Sequence, residues 1–210
     1  MRSFLVARFP FISELVNLVM DFLREVSQDE VFNHWASREN VSLDCLYFNR
    51  NNMFVHLPKN VKWYEVEITK QDLPSLKLIK EPAWNDLSFY SGDLRIAALN
   101  LDDYCLVPPI LPDLHPPNPF DGRTRQQRFD DLLKSLQKFR TNAAANELDL
   151  TLVLIGTNKQ GPFTILEGNH TAVALYFRYF VDNPSLKYPT HRVYVGISEE
   201  FVTYLWFHNL

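Results

Sequence analysis

Cysteine is nearly absent from this 210-residue chain: Cys45 and Cys105 are its two thiols, far apart and without CxxC or Cys/His spacing. That excludes a disulfide scaffold and a zinc-type site, so no structural metal is expected, and reduced thiols fit a cytoplasmic setting. Long apolar runs are missing too. No stretch reaches the ~20 uninterrupted apolar residues of a membrane span, and the most apolar N-terminal stretch is broken by Arg8, Glu14, Asn17 and Asp21, which removes the apolar region of a signal peptide. Positive charge is not in excess. With 21 Lys+Arg against 25 Asp+Glu the formal charge is -4, so the chain lacks the electrostatic footprint of a non-specific nucleic-acid or membrane binder. There is no internal repeat and no low-complexity segment.

What is present is globular in composition: 46% hydrophobic, 14% aromatic and 22% charged residues exclude a disordered, collagenous or coiled-coil chain. At this length folding removes roughly 70% of the extended chain's surface from water, enough for one sizeable core. Phe11, Leu15, Leu18, Val19, Phe22 and Val26 recur at helical steps and predict an amphipathic helix after Pro10. LDCLYFN and MFVHL flank Asn49-Arg50-Asn51-Asn52 and predict a β-hairpin. Residues 1–60 therefore read as a helix and hairpin extension packed on a domain spanning residues 61–210.

Within that domain Lys62 to Ile68 alternates as a strand, Thr69 to Leu76 reads as a short helix capped by Thr69, and Gly92 to Leu101 as another helix. Six of the 13 prolines lie between Pro108 and Pro119, a stiff loop. Arg123 to Arg140 follows as a helix with Phe129, Leu132, Leu133, Leu136 and Phe139 on one stripe. Leu150 to Gly156 and Phe163 to Leu166 form a hairpin across NKQGP. Thr171 to Val181 is a buried helix, His191 to Ile197 a strand, and a last helix starts at Ser198. The fold class expected is α/β (α+β): one domain with a small mixed sheet surrounded by helices.

The chemistry concentrates at FTILEGNHTAVALYF, which sets Glu167, Gly168, Asn169, His170 and Thr171 between a buried strand and a buried helix. A helix start offers unpaired amides and a positive dipole end, and Gly168 lets a ligand approach the backbone, so phosphate is the natural guest. Glu167 beside a phosphate calls for Mg²⁺ or for a proton to accept. The plain alternative is a strand-to-helix turn capped by Asn169, with His170 bonded to backbone. Arg125 lies one turn before Phe129 and reaches either a phosphate or a surface partner such as Asp121. His115 and Asp121 in the proline-rich loop are possible ligand contacts or parts of a packed connection.

This order of elements, helix, strand, turn, strand, EGNHT, then an Ala-rich buried helix, resembles the ParB/sulfiredoxin-like superfamily, specifically over Gly122 to Val181. The resemblance implies a nucleotide-binding fold. Asn169 stands where sulfiredoxins carry their cysteine, and His170-Thr171 stand where ParB proteins carry two arginines. Glu167, Gly168 and His170 match the motif of the free serine kinase branch, in which the acidic residue and the His take part in phosphoryl transfer. Thr171 replaces that motif's Arg, so a single neutral hydrogen bond stands in for a bidentate grip. The resemblance implies a small-molecule kinase using ATP or another nucleotide with Mg²⁺, with Glu167 as base or metal partner and His170 on the phosphates. The alternatives are a nucleotide- or small-molecule-binding module without catalysis and, third, a ParB-like nuclease, which the acidic charge opposes.

Overall fold

The computed structural model describes residues 20–39, 53–107, 109–111, 122–145, 152–205 and 207–208. In chain order, strand β1 (Asp21–Val26) leads to helix α1 (Gln28–Glu39), a 3-10 turn at Met53–His56 and strand β2 (Lys62–Ile68). A 3-10 turn at Leu73–Ser75 precedes helices α2 (Pro82–Leu87), α3 (Leu94–Leu106) and α4 (Arg125–Ala145). Strands β3 (Val153–Gly156) and β4 (Thr164–Glu167) then run into helix α5 (Asn169–Tyr176), which widens into a π-helical segment, Phe177–Asp182. Strand β5 (His191–Ile197) and a 3-10 segment, Glu199–Thr203, follow.

The five strands form one mixed sheet in the order β1-β2-β5-β3-β4. Neighbours are antiparallel except β3 and β5, which run parallel with Leu154 opposite Val195. A parallel pair needs a crossover, and β4 with α5 supplies it. The chain is thus an α/β protein with a small mixed sheet, as the sequence leads one to expect.

Side chains alternate across the sheet because successive Cβ atoms point to opposite faces. Val66, Ile68, Leu154, Ile165, Val193 and Val195 enter the core shared with α2 to α5. Trp63, Val153, Ile155 and Leu166 point the other way and meet Val31, Phe32, Phe54, Phe201, Tyr204 and Phe207. Helix α4 buries Phe129, Leu132, Leu133 and Leu136, the stripe read from its periodicity. Asp93 caps α3 by accepting from the amides of Arg95 (2.8 Å) and Ile96 (3.1 Å). Ser198 Oγ accepts from the Glu200 amide at 3.3 Å, but the segment it caps is a 3-10 turn and not an α-helix.

Three local expectations are corrected. Asp21–Val26 is an edge strand paired with β2, Val26 opposite Trp63, and not the last turns of an amphipathic helix. The four-residue step from Phe22 to Val26 mimics a helix, and the open edge of β2 overrides it with a ladder of backbone hydrogen bonds. This strand makes residues 21–26 members of the sheet. MFVH is a 3-10 turn that delivers Phe54 onto Phe32 (4.9 Å) and Trp35 (5.1 Å) instead of a hairpin strand. The rest of that hairpin and most of the N-terminal helix lie outside the described residues. Thr69 caps no helix: its amide (2.6 Å) and hydroxyl (2.8 Å) both donate to Asp72 Oδ2, which closes a turn before the 3-10 segment containing Pro74.

Candidate functional site

Strand β4 is buried through Leu166, and Glu167 emerges half-buried at its end. Gly168 then reverses the chain with φ 90° and ψ 20°, a left-handed conformation that costs any side-chain-bearing residue strain. The Ala172 amide donates to Gly168 O at 2.9 Å, so Asn169, His170 and Thr171 hold the first-turn amides, which an α-helix leaves without intrahelical partners. Gly168, at the N-cap position, brings no side chain to cap α5.

Asn169 is buried and committed to structure. Its Nδ2 donates to Ile165 O (3.3 Å) and its Oδ1 accepts from the Ile79 amide (3.0 Å). It staples the junction to the segment Lys77–Ile79, which runs along β4: the Lys77 amide donates to Phe163 O (2.9 Å) and the Ile165 amide to Lys77 O (2.7 Å). The side-chain capping expected of Asn169 is replaced by this bridge.

His170 is half-buried between two rings, edge-on to Trp84 at 5.0 Å and tilted 30° to Phe139 at 5.2 Å. Burial pushes its imidazole down to about 4, so it is neutral at pH 7 and offers a hydrogen bond rather than a charge. Thr171 is half-buried in the same first turn. Thus Glu167, Gly168, His170 and Thr171 stand together at one strand-to-helix junction. Its backbone amides suit anionic oxygens, and a carboxylate stands beside them.

Arg125 is committed to an ion pair. Its Nε donates to Asp86 Oδ2 (2.8 Å), its Nη2 to the other oxygen of the same carboxylate, and Nη2 also to the Tyr90 hydroxyl (2.7 Å). Asp86 is buried, so this fork neutralises a carboxylate that has lost its water and ties α2 to α4. Among the described residues Asp86 is the carboxylate that holds Arg125. His115 and Asp121 lie outside the described residues.

The structure brings in two groups that the sequence reading missed. Glu81 occupies the N-cap position of α2 ahead of Pro82 without a side-chain capping bond, and burial raises its carboxyl pKa while Arg128, then Arg123, pull it back down. Arg128 is half-buried on α4 with its Nε enclosed and without a hydrogen bond. A signal for it existed, since Arg128 lies one turn beyond Arg125 and one turn before the buried Leu132. Glu81 gave none, because only the tertiary fold carries it to α4.

The chain matches no protein-family model, and no curated protein or solved structure matches it. The functional reading therefore stands on these residues. Among the described residues no three His, Cys, Asp or Glu side chains gather as a metal site, and no helix is long and apolar enough to cross a membrane. The C-terminal ends of β3 and β5 lie at the opposite end of the sheet from Glu167. There an open cavity of about 590 Å³ is lined by Lys62, Asn158, Lys159, Ser198 and Glu199.

Proposed function

We propose that the chain binds the phosphates of a nucleotide at the Glu167–Thr171 junction and transfers a phosphoryl group from it to the hydroxyl of a small molecule. One observation carries this reading: left-handed Gly168 sets a helix start without an N-cap side chain, a carboxylate and a neutral imidazole at one turn of chain. The likeness of EGNH to the free serine kinase motif supports it. In the step, the acceptor oxygen forms its bond to phosphorus as the bond from phosphorus to the leaving nucleotide oxygen breaks. Glu167 takes the hydroxyl proton. Mg²⁺ carried with the nucleotide offsets the charge on the phosphates, and first-turn amides with His170 hold their oxygens.

Arg125 favours a second reading, binding without transfer, because its guanidinium is spent on Asp86 and Thr171 offers no replacement charge. One experiment separates the two. Thermal stability is followed with ATP, ADP, CTP and GTP, each with and without Mg²⁺, and ATP consumption is followed against a panel of hydroxyl-bearing small molecules. The enzyme reading expects a Mg²⁺-dependent shift, abolished by His170→Ala, and turnover abolished by Glu167→Gln. A shift without turnover selects the binding module. If no nucleotide shifts the wild type, both readings fail.

A further inference from the structure

We propose that the crevice at the carboxyl ends of β3 and β5 is a second ligand site, which takes a small zwitterion of the amino-acid or short-peptide class. The inference stands apart from the nucleotide reading, because this crevice lies at the opposite end of the sheet from Glu167.

The fold itself opens the crevice. Strands β3 and β5 run parallel and end side by side, Gly156 opposite Ile197, and the Ser198 amide donates to Gly156 O at 3.1 Å. Beyond that bond the two segments part. Thr157 to Gln160 turns back into the edge strand β4, whereas Ser198 leads into Glu199–Thr203, which carries Phe201 onto the aromatic face beside Trp63. Neighbouring parallel strands whose continuations leave in different directions open a gap outside their carboxyl ends, and in α/β sheets such gaps hold ligands. Here the gap measures about 590 Å³, a size that suits a small molecule.

Charge defines what fits. Lys62 opens β2 opposite Ile197 and, two residues before Tyr64, shares the face of the sheet that Tyr64 occupies. Lys159 comes to that face from the β3–β4 turn: its Nζ lies 4.0 Å from the centre of the Tyr64 ring and 4.8 Å from that of Phe22. Asn158 Oδ1 accepts from the Gln160 amide at 2.8 Å and fixes Lys159 at the tip of the turn. Both lysines line the crevice, and Glu199 lines it from the segment that leaves β5. Glu200 is already engaged, accepting from Asn60 Nδ2 at 3.4 Å. Lys62, Lys159 and Glu199 are exposed, and among the described residues their charged groups form neither a hydrogen bond nor an ion pair, although one cavity joins them. A plain anion there meets Glu199, and a plain cation meets the lysines. A zwitterion sets its carboxylate on the lysines and its ammonium on Glu199, so that each charge finds its opposite.

The test titrates the full isotope-labelled chain with glycine, L-glutamine and diglycine, read by amide chemical shifts, with acetate and ethylamine as single-charge controls. At least one zwitterion is expected to give saturable shifts centred on Lys62, Asn158 to Gln160 and Glu199, about tenfold tighter than either control. Tighter binding of L-glutamine assigns the site to amino acids, and tighter binding of diglycine to peptides. Lys62→Gln and Glu199→Gln, both at exposed positions where the fold tolerates change, are each expected to weaken that ligand about fivefold or more. Acetate binding as tightly as glycine, or wild-type affinity in Glu199→Gln, overturns the zwitterion. Loss of the shifts in His170→Ala moves the ligand to the junction and overturns the second site. No saturable shift from any of the three zwitterions up to about 50 mM overturns it as well, and leaves the nucleotide reading untouched.

Discussion

The two faces of the sheet are built by different means. One face is covered by α2 to α5, whose apolar stripes interlock with Val66, Ile68, Leu154, Ile165, Val193 and Val195. The other is covered by α1 and short turns that bring single large rings, Phe54, Phe201, Tyr204 and Phe207, against Trp63. Helices bury area by repetition, while turns bury it one ring at a time. Every candidate at the Gly168 junction belongs to the helical face. Long helices fix backbone positions well enough to hold a charged group out of water, whereas isolated rings only exclude water.

If the aromatic face were a loose cover, its central residue would be worth little. Trp63 is 1% exposed, and a Cβ added to Gly196 across the ladder would lie 2.8 Å from its ring. Trp63→Ala is therefore expected to cost about 3–5 kcal/mol, the same as Phe129→Ala at the centre of the helical face. Urea denaturation with an unchanged m-value measures both. A cost for Trp63→Ala below half that for Phe129→Ala breaks the equivalence of the two faces.

The buried ion pair on the helical face comes next. Asp86→Asn leaves the Arg125 fork facing a neutral amide inside the contact between α2 and α4, with an expected loss of about 3 kcal/mol. A loss within 0.5 kcal/mol of zero would place the pair among surface bridges of little worth.

Acid is expected to act on the helical face through His170. Its imidazole ionises near 4 in the folded chain against 6.5 when unfolded, because of burial. The unfolded state therefore takes up the proton first. Stability is complete above about pH 6.5 and falls between there and pH 4, by up to about 3 kcal/mol. His208 is shifted downward as well, first by burial and then by Lys80 and Lys77, and adds in the same direction. Comparing urea midpoints at pH 7.5 and 5 in wild type and His170→Phe isolates the share of His170. An equal drop in both proteins removes it from the account.

The same contrast explains what was legible in the chain. The stripe of α4, the β3–β4 hairpin, β5 and the junction at Gly168 were readable because each is a local period or a local turn chemistry. The aromatic face was not, since Phe54 and Phe201 sit in irregular segments and reveal their partners only when Trp63 is in place. Strand β1 was misread because Phe22 and Val26 satisfy a helical step, and the edge of β2 that recruits them is far away in sequence. At the site, Glu167, Gly168 and His170 were visible as a motif. Asn169 was visible as a polar residue but not as the acceptor for Ile79, and the pairing of Arg125 with Asp86 depends on how α2 docks.

The smallest expected effect separates the architecture of the junction from its chemistry. Gly168→Ala places a side chain at φ 90°, a strain worth about 1–2 kcal/mol, and leaves the Asn169 bridges to Ile165 and Ile79 in place. The fold should survive with a modestly lowered melting temperature. Asn169→Ala removes both bridges while keeping the backbone angles at Gly168, and an unsatisfied Ile79 amide costs about the same. If the junction is only a turn, the two variants are equivalent in every assay. If it is a ligand site, Gly168→Ala weakens nucleotide binding beyond its effect on stability, because a methyl group then stands where the backbone must meet the phosphate. Asn169→Ala acts on binding only through the docking of Lys77–Ile79. A matched pair of melting curves with and without Mg-ATP reads the difference, and equal ligand shifts in the two variants would return the junction to a purely structural role.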